Sequence, residues 1–475
     1  MPDNAPRPSD AEIVRLFARQ KAAFAADPFP ACKARLARLD SLIRAVGAHE
    51  ARIVKAINDD FGTRAGPETI AAEILMTLGA AKTAKRHLAR WMRPRPVRTP
   101  VYLLPARSRI EPQPKGVVGI VSPWNYPVQL ALAPAIAALA AGDRVMVKSS
   151  ETTPATADLL RSIVAAEFDE DLFAVVAGGA DTGAAFARLP FDHLLFTGGT
   201  QIGRKVGVEA AKNLTPATLE LGGKSPAIID DSADLSAAAR AIAYGKLFNA
   251  GQTCIAPDYV LVPREKSAAA VRAIGAAARA LYPEIDSTAD YTAIVSDRHF
   301  ARLCGLLDEA RGAGAQIVEI GSANALHPQR KLPFAIVVDP PEGLGLMREE
   351  IFGPILPVIG VSSREAAIAH VNKGARPLAL YWFGRDKAAE KKILTRTIAG
   401  GVTVNGTLLH AAQEHLPFGG VGASGMGAYH GRAGFDTFSH LKPVLRQSRL
   451  AAGALLHPPF GGRTKRVLKL LRSII

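Results

Sequence analysis

The chain has 475 residues, 48% hydrophobic and 21% charged, a balance that excludes intrinsic disorder and supplies about three structural units, or two large ones with additions. Its formal net charge of +15 leaves nucleic acid, an anionic membrane or an anionic small ligand to be weighed as partners. Three scattered cysteines, Cys32, Cys254 and Cys304, exclude a disulfide framework and a metal knuckle and suit a reducing compartment.

Residues 1–14 (MPDNAPRPSDAEIV) are polar and have no apolar run of the kind a secretory signal needs, so a cytoplasmic chain is expected. Apolar residues then recur at helical steps over 11–24 (Ile13, Leu16, Phe17, Phe24), 35–57 and 69–91, which predicts helices there. Residues 93–114 carry Pro94, Pro96, Pro100, Pro105, Pro112 and Pro114, the mark of an extended excursion that leaves the domain and returns. From Gly116 the period changes. Residues 116–122 (GVVGIVS), 144–149 (RVMVKS), 173–178 (FAVVAG) and 193–198 (HLLFTG) read as buried parallel strands. Helices are expected between and after them, from about Tyr126, then over 156–167, 182–188 and 201–212. The run 131–141 is too short to span a bilayer, contains Pro134, and reads as a helix buried on most faces.

A second strand and helix series begins near Ser225. Strands are expected at 225–231, 258–263, 333–339, 355–361 and 378–384, with helices over 235–248, 266–281 and 364–372. The alternation predicts an α/β fold of two doubly wound, Rossmann-like units meeting near 220–224, with ligands at the carboxyl ends of the strands. No fixed-period repeat or low-complexity tract is present.

Several residues are candidates for chemistry. Cys254 lies in FNAGQTC, a polar, glycine-bearing turn after a predicted helix. A free cysteine is usually a small buried hydrophobe, and Cys32 and Cys304 fit that role; a nucleophile needs exposure and donor-rich surroundings, which the turn offers Cys254. Glu220, in TLELGGKSP, is either a solvent-facing edge glutamate or a carboxylate of raised pKa held at a cleft as a general base. Asn125, in SPWNYP, follows the first strand of the α/β series: a turn former, or an amide aimed at a developing oxyanion. FTGGTQIG brings Gly198, Gly199 and Gly203 to a strand-to-helix turn able to offer amides to a pyrophosphate. Lys148 and Glu151, in VKSSE, end the neighbouring strand as a helix-capping cluster or as partners of a ribose hydroxyl.

With EEIFGP and PFGGVGASGMG, these segments occur in one order between about residues 115 and 430, and together they resemble the aldehyde dehydrogenase superfamily. GQTCIAPDYVLVP resembles its class 3-like branch, and the run GMGAYHGRAGFDTFSHLKPVL is similar to bacterial coniferyl aldehyde dehydrogenases. The resemblance implies Cys254 as nucleophile, Asn125 with the Cys254 main-chain N–H as oxyanion hole, and Glu220 as the base that activates the hydrolytic water. It implies NAD as cofactor, with NADP possible, held by Trp124, Lys148, Glu151, Gly198, Gly199, Gly203, Leu221, Glu350 and Phe352. No metal is implied. Units are expected at 1–220 (NAD(P)-binding, with the 93–114 excursion to a small β oligomerisation arm), 221–427 (catalytic), 428–450 (oligomerisation) and 451–475 (a basic amphipathic tail), in a homodimer. Ser149 stands where the family has a proline, which is expected to loosen the turn that aims Lys148 and Glu151.

The expected reaction is oxidation of an aldehyde to a carboxylate through a thiohemiacetal and a thioester on Cys254. Tyr126 and Tyr244 are candidates to line a pocket for an aromatic or phenylpropanoid aldehyde such as coniferaldehyde; medium-chain aliphatic aldehydes fit the same motifs. A non-redox cysteine esterase or acyltransferase is the alternative enzyme class, but it leaves the glycine turn unexplained. Nucleic acid is disfavoured as a partner, since basic residues are dispersed and aromatic residues are 6% of the chain. The tail RTKRVLKLLRSII either docks on the body or touches a membrane surface; docking is the expectation.

Overall fold

The computed structural model describes residues 10–449 and 456–473. The strands, in chain order, are β1 (Arg95–Val97), β2 (Arg107–Pro114), β3 (Val117–Val121), β4 (Arg144–Lys148), β5 (Phe173–Val176), β6 (His193–Gly198), β7 (Ala217–Leu221), β8 (Pro226–Ile229), β9 (Tyr259–Pro263), β10 (Gln316–Ile320), β11 (Phe334–Val338), β12 (Ile355–Val361), β13 (Ala379–Phe383), β14 (Gly401–Val404), β15 (Gly425–Met426) and β16 (Ser439–Arg446).

They form three sheets, in the orders β15-β7-β6-β3-β4-β5, β10-β11-β12-β9-β8-β13-β14 and β1-β2-β16. In the first, every pair is parallel except β15 on β7. In the second, only β10 on β11 is antiparallel. This is the doubly wound architecture expected, and the third, antiparallel sheet is the arm. β3 and β4 are buried at nearly every position because helices cover both faces, which is why they read as continuous apolar runs rather than alternating ones. In the first sheet the chain order reverses between β3 and β6. The loops after these two strands diverge there, which opens a crevice at their carboxyl ends.

The helix Gln129–Ala141 is buried along its whole length and packs under this crevice, as its uninterrupted apolar sequence predicts. It begins three residues after the expected start, because SPWNYP is spent on the loop. The pattern expected as one helix over 35–57 is two, Cys32–Ala48 and Glu50–Phe61, broken at His49. The third begins with a short turn, Gly66–Thr69, then a π-helical turn, Ile70–Leu75, before Met76–Trp91. The tail forms a helix, Gly462–Arg472, with Thr464 buried, Val467 and Leu471 half-buried, and Leu468 and Leu470 exposed. Ile474 and Ile475, counted among the tail's apolar positions, lie outside the described residues. No helix among the described residues is long and apolar enough to cross a membrane.

Candidate active site

One cavity of about 530 Å³ lies at the crevice, within the size range of small-molecule sites. Cys254, Glu220, Asn125, Trp124, Tyr126, Tyr244, Gly198, Gly199, Leu221, Glu350 and Phe352 all line it. Lys148, Glu151 and Gly203 do not. Lys148 and Glu151 pair at 2.8 Å at the end of β4, and Gly203 sits one turn into the helix Thr200–Lys212, where a Cβ would overlap Leu221. Ser149 donates its main-chain N–H to the Val176 carbonyl at 3.0 Å. The turn expected to be loose is therefore closed by a bond that no proline can make.

Cys254 follows three successive residues in the left-handed region, Asn249, Ala250 and Gly251. A Cβ on Gly251 would overlap the Gly353 carbonyl, so this turn needs glycine for space as well as for φ. The exposure expected of the cysteine is met only in part. Cys254 is only partly exposed, and burial, then Glu350 and Glu220, push its thiol up to about 12.

Glu220, the last residue but one of β7, has 2% of its surface exposed, and neither carboxylate oxygen has a hydrogen-bond partner. Burial alone raises it well above the usual carboxylate range. Its β-strand position is held on one side by Thr197 of β6 and on the other by Gly425 of β15. Glu350 is raised to about 8, by burial and then by Asp258, against the Gly223 main-chain donor. A Cβ on Gly222 would overlap the Glu350 carboxylate, so this glycine is what leaves room for it.

Asn125 is buried, and its Nδ2 donates to the Gln252 carbonyl at 3.1 Å, one peptide before the cysteine loop's final turn. The Tyr126 hydroxyl meets Thr253 Oγ1 at 2.5 Å, a second tie to the same loop. Tyr126 stacks on Phe248 at 6.5 Å between ring centres, and Tyr244 tilts against Phe248 at 5.5 Å, which gives the cavity an aromatic wall. On the other side Trp124 contacts Phe352 at 5.3 Å and His299 at 4.9 Å. Burial, then Arg298 and Arg302, hold His299 down to about 4, so it is neutral.

Sequence reading missed His299 and Arg302, which donates to the Glu350 and Ile351 carbonyls, because neither belongs to a recognisable motif. It also missed Arg64, Glu68 and Glu73 beneath the Asn125 loop; Glu73, an acid inside the apolar helical pattern over 69–91, was the available signal. Among the described residues no group of side chains is arranged to hold a metal.

The sequence model described as the aldehyde dehydrogenase family matches residues 4–444. A protein of Caulobacter vibrioides named probable coniferyl aldehyde dehydrogenase is 46% identical over 95% of this chain and 94% of its own. The substrate-bound state of Staphylococcus aureus AldH superposes with a TM-score of 0.92 at 37% identity, over 97% of this chain and 99% of that one. A Mycobacterium tuberculosis aldehyde dehydrogenase complexed with NAD+ superposes with a TM-score of 0.83 at 29% identity, over 93% and 91%.

Proposed function

This chain belongs to the aldehyde dehydrogenase family, and from that premise we propose that it oxidises an aromatic aldehyde of the coniferaldehyde type to its carboxylate, using NAD or NADP. The observation that carries the reading is the convergence of Cys254, Asn125, Glu220 and Glu350 on one cavity that also reaches the glycine turn after β6.

The residues present fit a dinucleotide. Gly199 has open space around it, Gly222 keeps the Glu350 carboxylate in the cavity, and the Lys148–Glu151 pair stands at the end of β4. Lys148 and Glu151 would hold the adenosine ribose, Gly198, Gly199 and Gly203 the pyrophosphate, and Trp124, Leu221, Glu350 and Phe352 the nicotinamide end. The chemistry a bound nicotinamide supplies is hydride acceptance.

Cys254 gives its thiol proton to water, Sγ forms a bond to the aldehyde carbon, and the C=O π pair moves onto the carbonyl oxygen, which becomes an oxyanion. Asn125 Nδ2 has one proton engaged by Gln252 and the second free for that oxygen, beside the Cys254 main-chain N–H. After oxidation the acyl group is a thioester on Sγ. Glu220 takes a proton from water, the hydroxide adds to the thioester carbon, the C–S bond breaks and the carboxylate leaves. A raised pKa makes Glu220 a stronger base than an exposed carboxylate once ionised.

The aromatic wall of Tyr126, Tyr244 and Phe248 and the name of the Caulobacter relative support the aromatic substrate. The unit 221–427 would carry the nucleophile Cys254 and close on the nicotinamide with Glu350 and Phe352, the unit 1–220 would hold the rest of the cofactor and reach the thiol with Asn125 and Glu220, and the β1-β2-β16 arm would join two chains in a homodimer. The test is nicotinamide absorbance with coniferaldehyde, benzaldehyde and octanal, each with NAD and with NADP. Fastest turnover of coniferaldehyde, lost in Cys254→Ala, is expected. Octanal as the preferred substrate would replace the aromatic reading by an aliphatic one, and ester hydrolysis without nicotinamide reduction would replace the redox reading.

A further inference from the structure

We propose that Arg64 is a positioning residue for the reaction: it fixes the Asn125 peptide against the cysteine loop, so that the Asn125 amide meets the oxyanion. This rests on the roles proposed above for Asn125 and Cys254.

Arg64 has no exposed side-chain surface, although it lies at the end of a helical hairpin where an arginine would ordinarily reach solvent. Its Nη1 donates to the Asn125 carbonyl at 3.0 Å and to Glu73 Oε1 at 3.2 Å. Its guanidinium plane lies 4.9 Å from the centre of the Tyr126 ring and 5.1 Å from that of Phe61. The rest of the loop hangs on the same carboxylates. Glu73 Oε2 accepts from the main-chain N–H groups of Val128 and Gln129, at 3.0 and 2.8 Å. Glu68 Oε1, 3.5 Å from Arg64 Nε, accepts from the Asn249 main-chain N–H at 3.1 Å. Asn249 then closes the circuit, since its Nδ2 donates to both the Asn125 and the Gln252 carbonyls at 3.1 Å.

Arg64 therefore holds the two halves of the proposed oxyanion hole in one frame: the loop that carries Asn125 and the loop that carries Cys254. The frame is costly, with two carboxylates buried for one guanidinium, and removing the guanidinium leaves both carboxylates without a counter-charge. Glu73 is also presented by the π-helical turn Ile70–Leu75, a departure from α-helical geometry that clusters at functional sites. A lysine does not replace this arginine, because one ammonium cannot reach the Asn125 carbonyl and both carboxylates at once while a flat cation lies over the Tyr126 ring.

The test is a double-mutant cycle between Arg64→Lys and Asn125→Ala, read as the first-turnover rate of nicotinamide reduction and as KM for aldehyde. Loss of one oxyanion donor costs about 10²–10³-fold and a misplacement of about 1 Å about 10²-fold. Arg64→Lys is expected to slow the first turnover about 10- to 100-fold, with KM within about threefold. In the Asn125→Ala background it is expected to add less than about threefold, since the donor it positions is already gone. Equal slowing in both backgrounds, or a rise in KM without slowing, overturns the inference and leaves Arg64 a purely structural residue. Glu73→Gln gives the same cycle by an independent route if Arg64→Lys does not fold. A wild-type chain that does not turn over aldehyde, or an Asn125→Ala chain as fast as wild type, refutes the underlying reading instead.

Discussion

Cys254 carries its proton at neutral pH in the cofactor-free protein, because burial and the carboxylates of Glu350 and Glu220 push its thiol up to about 12. Only the thiolate alkylates, and below the pKa its fraction rises tenfold for each pH unit. Alkylation of Cys254 by iodoacetamide, measured against Cys254→Ala to subtract Cys32 and Cys304, is therefore expected to accelerate about tenfold per unit from pH 7 to 10 without levelling off. A plateau near pH 8 would mean that a cation relieves the thiol. Glu220 is raised in the same direction by burial alone, which favours its neutral form in the folded chain. Stability is then lost as pH climbs from the unfolded toward the folded value, because the unfolded chain ionises first. Glu220→Gln removes that cost. Its melting temperature should exceed that of wild type by a margin that widens as pH rises above the usual carboxylate range. Its steady-state turnover should fall about 10²–10³-fold, while the first-turnover burst survives, since the substitution removes the proposed hydrolytic base and leaves the proposed nucleophile.

The turn Asn249–Gly251, two residues short of the cysteine, stores conformational strain, with three left-handed residues in a row. Gly251→Ala adds a Cβ against the Gly353 carbonyl as well as a disfavoured φ, and a main-chain atom cannot swing aside. The variant is expected to melt several degrees below wild type and to lose at least about tenfold in turnover, as checked by thermal scan and assay. Elements of this kind separate what the sequence displays from what it hides. β3, β4 and β6 were legible because full burial writes them as unbroken β-branched runs. β15 was not, since a two-residue strand has no period, and its partner β7 lies about two hundred positions away. The π-helical turn was equally silent, because Ile70–Leu75 has the spacing of an ordinary helix. At the site, Cys254, Glu220 and Asn125 announced themselves by motif. Arg64 did not, because its role exists only through Glu73, Glu68 and the Asn125 carbonyl once the chain has folded.

At the scale of the whole molecule, the arm presents an apolar surface among the described residues. The arm carries exposed apolar side chains at Val97, Val101, Tyr102, Leu104 and Leu445, and its β2 and β16 pair along eight residues outside both α/β units. Light scattering should give twice the 50.1 kDa chain mass, and Val101→Asp with Leu104→Asp should return the single-chain mass. The circuit that closes the first sheet has another consequence, one of timing. Glu220 is flanked by Gly425, so the strand that bears the proposed base lacks its outer neighbour until the chain has been made past residue 425. At about 5–20 residues per second, roughly 10–40 s separate the emergence of the two. A ribosome-bound chain ending before β15 should already protect β3–β6 from protease while leaving β7 open. Activity would then appear late and abruptly during synthesis, long after most of the polypeptide has found its place.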